Sequence, residues 1–395
     1  YQLVSSMGVK GLFFSQEDLG NLKLKNRFVV APMTRISANP DGTPNENMAS
    51  YYEEYALGGF GLIITEGTYI DEQYSQGYVN QPGIANQSHV EGWKRIVSSV
   101  HGKDVPIIQQ LLHAGALIQH NRFVDHPVAP SPIQPKGEMA ARYMGSGKYF
   151  MPKELTQTDI QEIIKSYGDA ACRSMEAGFN GVEIHGANGY LPDEFLTTYS
   201  NNRRDEYGGA IENRIRFHCQ VIKNIRKKIG DEALLGIRIS QTKINDFEYE
   251  WPGKQDDAKV IFCSVAEAGA DYIHVSTHKG LVDVFESDRN LASFAKEFSG
   301  IKVIGCGGLE DHEKATIILE NGDADFIAVG KGALADSSLP NKILAGRKPI
   351  EFDPGMISPV ATIENTNNWK SDNNKSKDSN TNHDIIDTDN DKNNN

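Results

Sequence analysis

Little in this chain is suited to covalent bracing, to membranes or to anionic partners. Four cysteines, Cys172, Cys219, Cys263 and Cys306, occur among 395 residues. No two form a C-x-x-C pair and no zinc or iron–sulfur spacing appears, so they read as reduced core thiols, and no metal site is expected. No apolar run approaches the roughly 18 residues that span a bilayer. The opening residues lack the basic-then-apolar pattern of a signal peptide. Met7 reads as a natural start, and residues 1–11 as an N-terminal extension. The net charge of −13 disfavours nucleic acid and anionic membranes as partners. A doubly wound sheet would want a G-x-G-x-x-G after an early strand, and none is present. The expectation is a cytoplasmic protein with a small-molecule partner. Homo-oligomer formation is left open.

What the chain does have is a regular alternation. Hydrophobic residues make up 39 % and charged residues 24 %, a soluble globular composition. Eight short apolar runs recur: Phe28–Ala31, Leu62–Thr65, Pro106–Leu111, Val182–His185, Leu235–Ile239, Tyr272–Val275, Val303–Gly305 and Phe326–Val329. Segments of helical periodicity separate them. Continuous β-branched runs alternating with helices predict a parallel sheet, and eight such units predict a single (β/α)8 barrel over residues 12–354. The gap between the third and fourth runs is long. Its stretch 121–151, rich in Pro and Gly, leaves the C-terminal end of strand three and is expected to overhang the functional face. Residues 355–395 read as a low-complexity, disordered tail, because its Asn/Asp/Ser-rich part buries too little to offset ordering entropy. Removing the chain after Asn365 is expected to leave the fold intact. Asp384, Asp387, Asp389 and Asp391 lack the glycine and glutamate of a calcium loop, so a solvated tail is favoured there.

The richest stretch is 180–207, NGVEIHGANGYLPDEFLTTYSNNRRDEY. Val182 and Ile184 alternate with Glu183 and His185, so the two pairs face opposite ways. Gly186 and Gly189 then turn the strand into a tight loop carrying His185, Asn188 and Tyr190. An imidazole, an amide and a phenol at one strand end can hold a carbonyl oxygen and deliver a proton nearby. Strand-end residues satisfied by backbone groups are the alternative.

This stretch, with the following GGAIENRIRF, resembles the old yellow enzyme family of FMN-dependent ene-reductases. The resemblance implies that His185 and Asn188 bind the activating group of an electron-poor alkene, such as an α,β-unsaturated carbonyl, and that Tyr190 donates a proton. It implies FMN as cofactor and NADH or NADPH as reductant. Strand one ends in APMTR, which resembles the family's flavin turn through Pro32, Met33 and Thr34. Thr34 places the chain nearer the subclass with Thr, not Cys, at this position. Gly67 resembles a second flavin-adjacent turn. Aligned on LxHAG, Gln110 matches the residue that binds the flavin pyrimidine edge, and Gln109 is expected to point outward. Arg238 faces into the barrel, where a buried guanidinium needs a partner. A structural ion pair with Glu183 is one reading, and the flavin N1–C2 carbonyl edge is what the resemblance implies. Gly307, Gly308, Gly330 and Lys331 follow strands seven and eight, where barrels bind phosphate. Lys331 departs from the family's usual Arg, keeping the charge without the bidentate fork.

Other classes remain. A non-flavin phosphate-binding barrel, a lyase or isomerase, would use the glycines and Lys331 but leave Arg238 and Gln110 unassigned. A flavin-binding redox sensor would not turn over. Iron–sulfur relatives of the family would want more cysteines.

Overall fold

In a computed structural model, residue 8 and residues 10–383 are described. Most of the expected extension and the four tail aspartates lie outside them. Eight parallel strands form the core: β1 Phe28–Val30, β2 Leu62–Ile64, β3 Ile107–Leu112, β4 Gly181–His185, β5 Leu234–Ile239, β6 Tyr272–Ser276, β7 Lys302–Cys306 and β8 Phe326–Val329. They are hydrogen-bonded in sequence order, and β8 returns to β1. This is the expected closed (β/α)8 barrel. Every residue of β1 to β5 and β8 is buried, as helices cover the outer wall. Among the described residues no helix is long and apolar enough to cross a membrane.

The outer helices follow from their amphipathic stripes and caps. Gln157–Glu176 starts at a capping box between Thr156 and Asp159 and buries Ile160, Ile163, Ile164 and Tyr167 against the wall. The helical segment that follows the β4 loop is broken at Ile215 into Ile211–Arg214 and Arg216–Ile229. An antiparallel hairpin, Glu17–Leu19 with Leu22–Leu24, was not anticipated. Its Leu19 and Leu24 pack with Leu62, Ile108, Leu234, Ile304 and Phe326 inside the barrel, closing the N-terminal mouth. The thiols are less buried than core thiols would be: Cys172 is exposed and the other three are partly exposed.

The expected boundary at residue 355 is corrected for the first part of the tail. Met356, Ala361, Ile363 and Thr366 are buried, and a helix runs over Ile363–His383. Arg35, 1 % exposed, makes this docking specific. Its guanidinium donates to Ala361 O at 3.1 Å, Thr362 O at 2.8 Å and Thr366 Oγ1 at 2.5 Å, and lies over the Tyr51 ring. Composition concealed this because one threonine and one tryptophan among asparagines suffice when a buried Arg waits for acceptors. A chain ending after residue 373 should melt like the full chain. One ending at residue 365 loses Thr366 and the Trp369 ring that covers Gly355, and should melt several degrees lower, at a cost of roughly 1–3 kcal/mol. Equal melting of the two truncations in calorimetry would contradict the docking.

Arg35 also touches the end of β2. Its backbone N–H donates to Glu66 Oε2 at 3.3 Å, and the Tyr52 hydroxyl donates to Oε1 at 3.0 Å. Full burial pushes the Glu66 carboxyl up to about 7, against those hydrogen bonds and the Arg35 charge. A raised carboxyl makes the folded state hold its proton longer than the unfolded one. Stability from this group is therefore complete below the ordinary carboxylate range and is lost as pH rises to about 7. Glu66→Gln should stabilise the fold above neutral pH, by up to about 3 kcal/mol, with a higher melting temperature there and an unchanged one in mild acid. Melting curves at both pH values decide it.

Candidate active site

A cleft of about 320 Å³ opens at the C-terminal ends of the strands. Its lining brings together His185, Asn188 and Tyr190 with Pro32, Met33, Thr34, Gly67, Gln110, Arg238, Gly330 and Lys331. Gly307 and Gly308 are not in that lining. Both have positive φ, and the Gly307 carbonyl accepts from Gly280 N at 2.7 Å, so this turn is shaped against the loop after β6. The loop 121–151 overhangs the cleft as expected, through Glu138, Ala140, Arg142, Tyr143 and Tyr149.

The β4 exit is held from several sides. A Cβ on Gly186 would lie 2.8 Å from Arg238 O, so only glycine lets the loop cross β5 this closely. Gly189, at φ +90°, donates its N–H to Asp193 Oδ2 at 2.8 Å. Asp193 is in turn paired with Lys243 at 2.8 Å, both enclosed. Asn188 adopts φ +63° and donates its own N–H to Ser240 Oγ at 2.8 Å. Ser276 Oγ approaches Asn188 Oδ1 at 3.5 Å, which leaves the amide NH2 for other partners.

Each polar group of the loop has a defined protonation. Ala187 N donates to His185 Nδ1 at 3.3 Å, so Nε2 carries the ring proton. Burial, with the nearby Arg238 and His274 charges, holds His185 well below its usual range, and it is neutral at pH 7. The Tyr190 ring stands edge-on to His185, centroids 4.8 Å apart, and its hydroxyl lies 2.5 Å from that of Tyr78. Burial pushes both phenols up. Tyr78, Tyr143 and Tyr149 escaped the sequence reading. They sit on loops remote from 180–207, and only the overhang of 121–151 hinted at any of them.

Arg238 is 7 % exposed and has no carboxylate partner within ion-pair distance among the described residues. The pair with Glu183 is not formed. Glu183 is occupied by Gln110, Tyr272 and His274 instead. Arg238 donates to Cys306 Sγ at 3.6 Å, and its Nε has no partner among the described residues. Gln109 points outward and accepts from Ser174 Oγ at 2.7 Å. Lys331 Nζ lies 5.5 Å from the Phe352 ring and makes no ion pair among the described residues. A Cβ on Gly330 would find no atom nearer than 3.8 Å, so the space beside it belongs to the cleft. These features fit FMN. An uncompensated buried cation and an amide lie on one side, and a free ammonium with bare backbone lies on the other.

Comparison with known proteins bears on the family and the fold. Residues 13–349 match the NADH:flavin oxidoreductase / NADH oxidase family. An NADH oxidase from Thermoanaerobacter brockii is 33 % identical over 85 % of this chain, and the chain spans 51 % of that protein's length. A probable flavin mononucleotide-dependent alkene reductase from Leishmania infantum is 34 % identical over 86 % of this chain and 92 % of its own. The structure of morphinone reductase in complex with tetrahydroNAD superposes with a TM-score of 0.78 at 31 % identity, covering 90 % of this chain and 96 % of the other. The old yellow enzyme homologue from Zymomonas mobilis gives 0.76 at 30 %, covering 89 % and 98 %. With the barrel, the cleft and these likenesses together, the chain belongs to the NADH:flavin oxidoreductase / NADH oxidase family, that of old yellow enzyme.

Proposed function

We propose that this FMN-dependent oxidoreductase reduces electron-poor alkenes, α,β-unsaturated carbonyls above all, with NADH or NADPH as reductant. The observation that carries the proposal is the meeting in one cleft of an unpaired buried Arg238 with His185, Asn188 and Tyr190. In this reading Pro32, Met33, Thr34, Gly67, Gln110 and Arg238 hold the flavin ring system. Gly330 and Lys331, with the Gly307–Gly308 turn, take the phosphate. When bound, FMN supplies to the alkene the hydride drawn from reduced nicotinamide.

The chain's own residues do the rest. Nε2–H of neutral His185 and the Asn188 amide donate to the substrate carbonyl oxygen. They stabilise the negative charge that grows there as Cβ gains hydride. A neutral imidazole gives a hydrogen bond without surrendering its proton to that oxygen. Tyr190 then protonates Cα as general acid. Its raised pKa keeps the phenol protonated through the working range, and the Tyr78 hydroxyl steadies the phenolate left behind. Enclosure by Tyr143, Tyr149 and Ile357 limits water at the reacting carbons.

Purified protein should be yellow, its heat-released cofactor should comigrate with FMN, and NAD(P)H oxidation should depend on added enone. Release of FAD, or a colourless protein that takes up no FMN, would falsify the reading. Tyr190→Phe should leave flavin reduction by NAD(P)H nearly unchanged and slow enone reduction by roughly 10²-fold or more. Reduction of quinones, which needs no proton on carbon, should be spared. Stopped-flow measurement of the two half-reactions separates these, and equal slowing of both would remove Tyr190 from the donor role. Lys331→Arg should hold or tighten FMN, since a planar fork suits phosphate better than an ammonium. Markedly weaker binding in a fluorescence titration would mean that only the compact Lys fits.

A further inference from the structure

Glu183 takes no part in the steps above and does not line the cleft. It lies at the centre of β4, fully enclosed. Three donors converge on it. Gln110 Nε2 reaches Oε1 at 2.8 Å, while the Tyr272 hydroxyl at 2.8 Å and His274 Nδ1 at 3.0 Å reach Oε2. Burial pushes this carboxyl up. The His274 and Arg238 charges and these hydrogen bonds outweigh burial and hold it below the usual carboxylate range. Glu183 is therefore an anion, and an anion can only accept.

That property constrains its neighbour. The two ends of a Gln amide are nearly equal in size, so shape alone does not choose between its orientations. A carboxylate does choose, because only the NH2 end can face it. The carbonyl end of Gln110 is then turned the other way. Oε1 lies 3.4 Å from where a side chain on Gly67 would begin, on the side where both residues line the cleft.

We infer that Glu183 is a positioning residue that makes Gln110 an acceptor toward the cofactor, so that this edge of the site reads an N–H group. The inference rests on the FMN reading, in which the group is the imide N3–H of the flavin pyrimidine. A flipped amide would set donor against donor there. Tyr272 and His274, from β6, hold the second carboxylate oxygen and keep Glu183 from turning away from Gln110.

The test uses apoprotein titrated with FMN and with N3-methyl FMN, followed by flavin fluorescence. The wild-type protein should prefer FMN by roughly tenfold or more, the worth of one buried hydrogen bond. Glu183→Gln should lose most of that preference, because the Tyr272 and His274 donors keep the new amide's oxygen on their side and turn its NH2 toward Gln110, whose own NH2 then faces the cleft. The double variant Glu183→Gln/Gln110→Glu moves the carboxylate to the cleft side and should restore it. Full preference in Glu183→Gln, or none in the wild type, overturns the inference and leaves the FMN reading standing. Failure of the wild type to bind FMN overturns that reading itself. If Glu183→Gln does not fold, Gln110→Glu alone reports the same geometry. Two carboxylates would then meet at hydrogen-bond distance and share a proton. The variant's FMN affinity relative to wild type should fall as pH rises through neutrality, and a constant ratio rejects the facing pair.

Discussion

The polar interior of this barrel is organised by one buried negative charge. Glu183 on β4 gathers Gln110 from β3 and both Tyr272 and His274 from β6, binding strands on either side of β5. A charge taken out of water costs several kcal/mol unless it is well paired. Three short hydrogen bonds and two nearby cationic groups meet that demand. Burial works against a charge on His274, yet the Glu183 carboxylate raises its affinity for a proton. The neutralisation is deliberately incomplete in space: the network satisfies the carboxylate and leaves the Arg238 guanidinium facing the cleft without a carboxylate of its own. Positive charge left over in this way favours an anionic group in the cleft.

The loop after β4 depends on the same barrel wall in a different way. His185 continues the inward face that Glu183 began, one pleat further toward the C-terminal end. Arg238 lies beside it in register on β5. Burial first, and then the Arg238 charge with that of His274, keep His185 neutral, so this cation bears on both halves of the cleft. Beyond the strand end, a Gly at 186, a left-handed Asn188 and a tethered Gly189 bend the chain back to bring Tyr190 against the His185 ring. The enclosed Asp193–Lys243 pair anchors that bend. Burial pulls each partner toward neutrality, and the charge and hydrogen bond between the two oppose it, with the Gly189 N–H adding a smaller contribution at Asp193.

The rim of the site is assembled from distant segments. Loop 121–151 brings Tyr143 and Tyr149, the segment after β2 brings Tyr78, and the C-terminal segment brings Ile357 and Ala361. Arg35 links the last of these to the first strand, one residue beyond Thr34. The cleft-lining turn after β1 and the docking of the C-terminal helix thus share one stretch of backbone. That closeness makes the C-terminal segment part of the cleft's wall.

Local pattern sufficed for the barrel. Eight β-branched runs with period-appropriate helices between them have one compact closed arrangement, and their observed ends fall within a residue or two of the expected ones. Strand alternation also sufficed to turn Glu183, His185, Gln110 and Arg238 inward and Gln109 outward, because pleat period is a property of the chain itself. Who pairs with whom was decided only by the tertiary structure. Whether Arg238 met Glu183 depended on which donors β3 and β6 placed closer, and they were Gln110, Tyr272 and His274. The same holds for the Tyr78 contact with Tyr190, for the hairpin closing the barrel floor and for Thr366 on Arg35. Each joins groups far apart along the chain, and no local periodicity encodes a distance across the fold.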